Sequence, residues 1–422
     1  MTYKSLCILG RQPAIGRAEL ESLFGAAALT PLSERAIGCA MPPADIAFAR
    51  LGGSVRLAKP VAELKASKWP DILRAVSDAL PGLIETLPAE GKIKLGLSAI
   101  DLPVQTKQLF AAGLELKKTC KRAGRSVRLV PNTEPELSSA QVLHNQLTGE
   151  LGLELLLIKT GKQTIVAQTT DVQDINAYAK RDQGRPKRDA RVGMLPPKLA
   201  QILVNLAVGK IQGIEARVEG IAKNEAETQP PPYTLDPKPS TLTVLDPFCG
   251  TGVVLQEALL MGYGAYGTDL EPRMIDYSQA NLDWLTNTYT LDPSPYTLEP
   301  GDATTHQWQH PFSAVACETY LGRPLSSWPR PETLQDIIGA CNVIIEKFLR
   351  NIHTQVEPGT RLCLAVPCWQ SPDKRFYRLP LLDHLEEIGY NRVKFEHATT
   401  AELIYYRPDQ IVARELLVIT RK

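Results

Sequence analysis

The chain has 422 residues, of which 44% are hydrophobic and 22% charged, a composition that excludes a disordered or fibrous protein. Its length is too great for one hydrophobic core and implies two or three domains. A formal net charge of +1 leaves no global field to select partners, so any nucleic-acid surface has to come from local clustering.

No segment approaches the roughly 18 apolar residues that span a bilayer. The opening MTYKSLCILGRQPAIG has a lone Lys and a four-residue apolar run, too short for a signal-peptide core. A cytoplasmic protein with no membrane association is expected. Eight Cys are scattered at positions 7, 39, 120, 249, 317, 341, 363 and 368, with no Cys-x-x-Cys pair and no His at ligand spacing. Buried free thiols are expected, with neither a disulfide framework nor a metal site.

In chain order, the strand-like SLCILG leads into PAIGRAELESLFG, where Ile15, Leu20, Leu23 and Phe24 fall on one helical face that Gly25 ends. Short apolar runs follow, AIGCAM and VRLAKPVAEL, so residues 1–70 read as a small α+β module. A second, residues 71–176, opens with DILRAVSDALPGL and KIKLGLSAI. It continues with helix TKQLFAAGLELKKTCKRAG, strand SVRLV, helix SSAQVLHNQLTGEL and strands LELLLIK and TIVAQTT.

Charge concentrates here, with 14 Lys and Arg against 8 Asp and Glu over residues 117–191, which leaves the remainder of the chain acidic. KKTCKRAGRSVR holds Lys117, Lys118, Lys121, Arg122, Arg125 and Arg128 with no acid among them. KRDQGRPKRDAR adds Lys180, Arg181, Arg185, Lys187, Arg188 and Arg191 in a Gly/Pro-interrupted run. Such clusters bind phosphate backbones by releasing counterions, although a single basic helix is more often a solvated face.

Residues 177–240 form a connection. It holds the Pro-initiated apolar helix in VGMLPPKLAQILVNLAVGKI, then five prolines in residues 230–239, which exclude helix and sheet interior. Over 241–422, LTVLDPF, VVLQEALLMG, AYGTDL, PRMIDYSQANLDWL, AVACE, LQDIIGACNVIIEKFL, RLCLAVP and LPLLDHLEEIG alternate strand and helix patterns, implying a parallel sheet covered by helices. The tail LIYYRPDQIVARELLVITRK reads as two antiparallel strands.

In TVLDPFCGTGVVLQEAL a strand ends at Asp246 and passes through Gly250 and Gly252 into a helix, the place where open α/β sheets bind ligands. A P-loop would need Gly-Lys-Ser/Thr, and a dinucleotide site a third Gly where Leu255 stands. GYGAYG, residues 262–267, matches the dinucleotide pattern only literally, because it leaves a helix and enters a strand. Asp269 ends that strand, 23 residues after Asp246, where a carboxylate accepts ribose hydroxyls. Asp302, after another strand end, suits an adenine amine. Each Asp alone reads equally as a cap or turn residue, whereas three around one glycine loop favour an adenosyl ligand.

DPFCGTG followed by GTDLEPRMIDYSQANL resembles the S-adenosylmethionine half of class I RNA methyltransferases, and PKRDARVGMLPPKLAQILVNLA is similar to the THUMP-containing tRNA guanine-N2 methyltransferases that act at position 10. The resemblance implies an α/β fold: a C-terminal Rossmann-like methyltransferase domain preceded by ferredoxin-like and THUMP modules that bind the tRNA acceptor end. It implies S-adenosylmethionine as cofactor, held by Asp246, Phe248, Gly250, Gly252, Asp269, Leu270, Asp302 and Ala303, with Pro196 to Lys198 near its methionine carboxylate. It also implies tRNA as partner, a monomer, and a small activator subunit of the kind eukaryotic relatives use.

The family's Asp-Pro-Pro-aromatic loop is replaced in ACETYLG by Glu318 for the acid, Thr319 for the first proline, Tyr320 for the second and Leu321 where the aromatic is expected. The resemblance assigns Glu318 and the Thr319 carbonyl to the amine's hydrogens and Tyr320 to stacking on the base. Three readings stay open here: a guanine-N2 tRNA enzyme, a methyltransferase for another RNA or an adenine amine, and an inactive tRNA-binding platform.

Overall fold

The computed structural model describes residues 2–65, 68–189, 195–210, 242–289 and 296–422. Arg191 and the proline-rich connection lie outside the described residues.

The N-terminal strands β1 (Ser5–Leu9), β2 (Leu29–Pro31), β3 (Ala36–Cys39) and β4 (Ser54–Leu64) accompany helix α1 (Pro13–Phe24). Then come α2 (Trp69–Glu85), β5 (Ile93–Ile100), α3 (Thr106–Arg122), β6 (Val127–Leu129), α4 (Ser139–His144), β7 (Gly152–Thr160) and β8 (Gln163–Val172). All eight strands share one sheet in the order β2-β3-β1-β4-β8-β7-β5-β6. The β4–β8 pairing runs from Arg56↔Val172 to Leu64↔Thr164 and joins the two halves. Ile72, Val76, Leu80 and Ile84, spaced by four on α2, meet Leu109, Ala112 and Leu116 of α3 over the sheet. The helix expected over SSAQVLHNQLTGEL covers only α4, because Gln146 takes a positive φ of 52°.

Two elements carry the chain to a second sheet. Helix α5 (Ile175–Gln183) was not anticipated, and it removes part of the second basic run from the surface. Arg181 is buried against Glu257 at 2.8 Å, and Arg185 is buried too. Helix α6 (Pro197–Val208) is apolar nearly all round because it packs on both sides. It touches Ala14, Ile15 and Ala18 of α1 and, in the second sheet, Val244, Ala316 and Ala365.

Among its polar exceptions is Asn205, whose amide donates to Glu19 Oε1 and to the Arg50 carbonyl, both at 2.8 Å. Glu19 also accepts from the Gly52 and Gly53 amides at 2.9 and 2.8 Å. Burial pushes its carboxyl from 4.5 up to about 7 despite these donors. The folded state therefore holds this proton more tightly than the unfolded chain, and stability falls as pH rises through that window, by about 3 kcal/mol in all. Glu19→Gln puts an NH2 where a glycine amide needs an acceptor, so it costs stability at every pH but removes that slope. The stability advantage of wild type over Glu19→Gln in urea unfolding is expected to shrink by about 3 kcal/mol between about pH 4 and pH 8. An advantage independent of pH contradicts this.

The second sheet contains β9 (Thr243–Asp246), β10 (Gly264–Asp269), β11 (Tyr296–Pro300), β12 (Ala314–Glu318), β13 (Arg361–Gln370), β14 (Phe376–Tyr377), β15 (Tyr390–Arg392), β16 (Ile404–Tyr405) and β17 (Val412–Arg421). Helices α7 (Val253–Leu260), α8 (Pro272–Tyr289) and α9 (Pro331–His353) connect them. Its order is β11-β10-β9-β12-β13-β17-β15, parallel from β11 to β13 and antiparallel beyond. Alternation sends Val315, Cys317, Leu362 and Leu364 towards α9, and Ala314, Ala316, Cys363 and Ala365 towards α6. The tail pairs antiparallel as expected, Ile404↔Glu415 and Tyr405↔Arg414. LPLLDHLEEIG is not an α-helix. Its 3-10 turn Pro380–Asp383 spends the Leu381 amide on Asn342 of α9, at 2.8 Å.

Candidate active site

Strand order reverses between β9 and β12, and the crevice outside the carboxyl ends of strands at such a point is where open α/β sheets bind ligands. A cavity of about 650 Å³ opens there. Its wall brings together Asp246, Phe248, Gly250, Asp269, Leu270, Asp302, Ala303, Glu318, Thr319 and Tyr320, residues drawn from four strand ends.

The glycine loop is clamped from several directions. Gly250 N–H donates to Asp269 Oδ2 at 2.8 Å, and Glu271 N–H to Asp269 Oδ1 at 3.0 Å. From α8, Ser278 holds the Gly250 carbonyl at 2.9 Å and Asn281 the Thr251 carbonyl at 2.8 Å. Gly252 does not line the cavity. It takes φ +81° at the N-cap of α7, and a Cβ there would stand 3.0 Å from Ser278 Oγ, so its role is to make the turn. The GYGAYG run is a helix stop and strand entry: Gly262, at φ +80°, closes on the Leu259 carbonyl and β10 begins at Gly264.

Burial pushes the Asp246 carboxyl well above the usual range, opposed by the Phe248 amide and reinforced by Asp269 and Glu318. Burial also raises Asp269, opposed by its two amide donors. Asp302 is exposed, and its Oδ1 accepts from the Thr304 amide at 2.9 Å and hydroxyl at 2.8 Å.

The altered loop sits beside these groups. Glu318 Oε1 accepts from Arg414 Nε at 2.7 Å, with both side chains mostly buried. Arg414 lies on β17, on the same sheet face as Glu318, and reaches it across β13. Thr319 is buried, its amide and hydroxyl both donating to the Ala365 carbonyl at 3.1 and 3.3 Å. Tyr320 is not in the core. It is 43% exposed, and with Leu270 at 67% and Val343 at 50% it gives the cavity an apolar rim.

Pro196 and Lys198, expected near a methionine carboxylate, do not line this cavity, whereas the preceding Leu195 does. The Lys198 ammonium is bonded to Gln173 and lies over the Tyr178 ring at 5.3 Å, and burial lowers its pKa. Its side chain is spent on the junction with the first sheet. Sequence reasoning also missed Arg414 and the α9 wall of Val343, Ile344 and Lys347. No local signal marks them, since they arrive from distant strands and helices.

Of the basic residues, Lys118, Lys121, Arg122, Arg128, Lys187 and Arg188 are exposed and Lys117 is half-buried. Lys118 pairs with Glu115 at 2.7 Å. Arg125 is committed elsewhere, its two terminal nitrogens donating to the Ile84 and Pro88 carbonyls at 3.2 and 2.5 Å. Asn281, which holds the glycine loop, also exchanges two 2.9 Å bonds with the Lys187 backbone, so this basic segment lies beside the cavity loop. All eight cysteines are buried thiols.

Strand order and cavity together define a Rossmann-like α/β fold, the fold of known methyltransferase structures. The crystal structure of TrmN from Thermus thermophilus matches 100% of both chains with a TM-score of 0.51 at 15% identity, a likeness of fold. Two curated proteins named tRNA (guanine(10)-N2)-dimethyltransferase are similar in sequence. That of Methanothermobacter thermautotrophicus is 25% identical over 175 residues, 42% of this chain and 39% of the relative. That of Pyrococcus abyssi is 35% identical over 86 residues, 20% of this chain and 24% of the relative. The chain therefore spans about two fifths and one quarter of the length of these relatives. No protein-family model matches it.

Proposed function

We propose that this chain is an S-adenosylmethionine-dependent tRNA methyltransferase that modifies the exocyclic N2 amine of a guanine, at position 10. The observation that carries the reading is that the clamped glycine loop with Asp269 and the run from Glu318 to Tyr320 face one cavity. The names of the two sequence relatives support the substrate.

The cavity residues fit the cofactor. Asp269 would hold the ribose, Asp302 the adenine amine, and Phe248, Leu270 and Ala303 the flat faces, while Asp246 and Gly250 line the methionine end. When bound, the cofactor supplies an electrophilic sulfonium methyl. The chain's task is to present a weak nucleophile in line, because the guanine amine's lone pair is delocalised into the ring. Tyr320 at the rim stacks on a base taken out of its helix. Glu318 accepts a hydrogen of the amine and takes its proton as nitrogen is alkylated, and the Thr319 carbonyl accepts the other hydrogen. The 2.7 Å bond from Arg414 Nε holds the Glu318 side chain in its orientation.

In this reading residues 1–70 form a ferredoxin-like module and 71–176 a THUMP module that hold the tRNA, 177–240 a basic connection, and 241–422 the catalytic domain. The protein works as a cytoplasmic monomer, with a small activator subunit as the further partner. Calorimetry with S-adenosylmethionine, followed by methyl transfer to total tRNA with and without that subunit, tests this. Cofactor binding with transfer is expected. Binding without transfer favours a tRNA platform, and no binding removes both enzyme readings.

The exposed cations give a separate expectation. Replacing Lys121, Arg122 and Arg128 by Ala should weaken tRNA binding and lower the slope of log affinity against log salt by roughly two to three. Filter binding at several salt concentrations checks it. An unchanged slope returns α3 to a solvated face.

A further inference from the structure

In a parallel pair, a residue's N–H donates to the neighbouring strand and its C=O accepts from the residue two positions further along that strand. Glu318 aligns with Ala365, and the Thr319 amide continues the ladder by donating to the Ala365 carbonyl at 3.1 Å. The next bond would run from the N–H of residue 367 to the Thr319 carbonyl. Residue 367 is proline and has no N–H to give.

Direction can be checked on the other side of β13. The Gln370 amide donates to Ile411, next to β17, at 2.8 Å. Alternation therefore turns the even-numbered amides of β13 towards β17 and position 367 towards β12. Pro367 sits opposite Arg414 in the β17 register without disturbing that ladder, since the absent donor faces the other way. The consequences lie at the cavity: β12 stops at Glu318, the chain leaves the sheet through Thr319, Tyr320 and Leu321, and among the described residues the Thr319 carbonyl accepts no hydrogen bond.

We propose that Pro367 is a positioning residue for methyl transfer: by withholding the one backbone donor aimed at Thr319, it keeps that carbonyl free for a hydrogen of the substrate amine beside Glu318. The inference rests on the function proposed above. An NH2 group brings two hydrogens and needs two acceptors, and Glu318 and Thr319 are consecutive and both line the cavity. A donor at 367 would draw the Thr319 carbonyl into the sheet plane and extend β12 past its present end.

Pro367→Ala supplies that donor, and Pro367→Val does so with a residue suited to strands. Both are expected to lower kcat for tRNA methylation by about tenfold to a hundredfold, with cofactor affinity and KM for tRNA unchanged. Thermal stability should hold or rise, and the new amide at 367 should exchange slowly with deuterium. A purely structural proline would instead lose stability together with kcat. A slowly exchanging amide at 367 with wild-type kcat overturns the proposal, and so does a fast-exchanging one, because the ladder bond is then absent. Wild-type enzyme inactive on tRNA in the same assay refutes the functional reading itself, a different outcome from an active wild type with an equally active variant.

Discussion

Glu318→Ala is expected to lower kcat by roughly two to four orders of magnitude while the cofactor dissociation constant stays at its wild-type value. The carboxylate lines the cavity at the end of β12 and, among the described residues, makes no hydrogen bond to Asp269, Ser278 or Asn281, which clamp the glycine loop. On the roles proposed above, removing it takes away the acceptor for the amine and leaves the cofactor cradle intact. It also strands Arg414, whose Nε loses its 2.7 Å partner in a mostly buried position, so some stability is lost as well. Glu318→Gln separates the two effects. Its amide oxygen still accepts a hydrogen bond but takes no proton, so its turnover should lie between those of wild type and Glu318→Ala. Steady-state kinetics with calorimetry on the same preparations decides the matter, and loss of cofactor binding in Glu318→Ala would show that the role is misassigned.

Asp269→Ala should show the opposite split. Its carboxylate holds the amides of Gly250 and Glu271, and losing bonds to a charged acceptor costs about 1.5–3 kcal/mol each. With the proposed ribose acceptor gone too, the cofactor dissociation constant should rise about a hundredfold or more, and kcat at saturating cofactor should change far less. If Asp269→Ala lost turnover at saturation while binding normally, the cradle assignment would fail.

The parts of this site legible in the sequence were those written within one short segment. Strand, glycine turn and helix follow in order in TVLDPFCGTGVVLQEAL, and the aspartates stand at strand ends, so the α/β reading and ten residues of the cavity wall could be named without coordinates. Residues whose role depends on strand pairing could not. Arg414 lies 96 residues from Glu318 and meets it only because β17 turns back antiparallel against β13. The role proposed for Pro367 rests on a register that no local pattern announces.

Charge runs misled for a related reason, because composition does not say which cations are already paired. Arg181 has Glu257, and Arg125 has the Ile84 and Pro88 carbonyls. Helix boundaries failed where a backbone amide found a partner outside its own helix, as Leu381 does at Asn342.

The central claim is methylation of guanine N2 in tRNA, and mass spectrometry of tRNA nucleosides from cells with and without this protein tests it most directly. The account predicts that N2-methylguanosine or N2,N2-dimethylguanosine at position 10 disappears when the protein is absent and returns with wild type but not with Glu318→Ala. An unchanged nucleoside profile, or loss of a methylated adenosine instead, would contradict it.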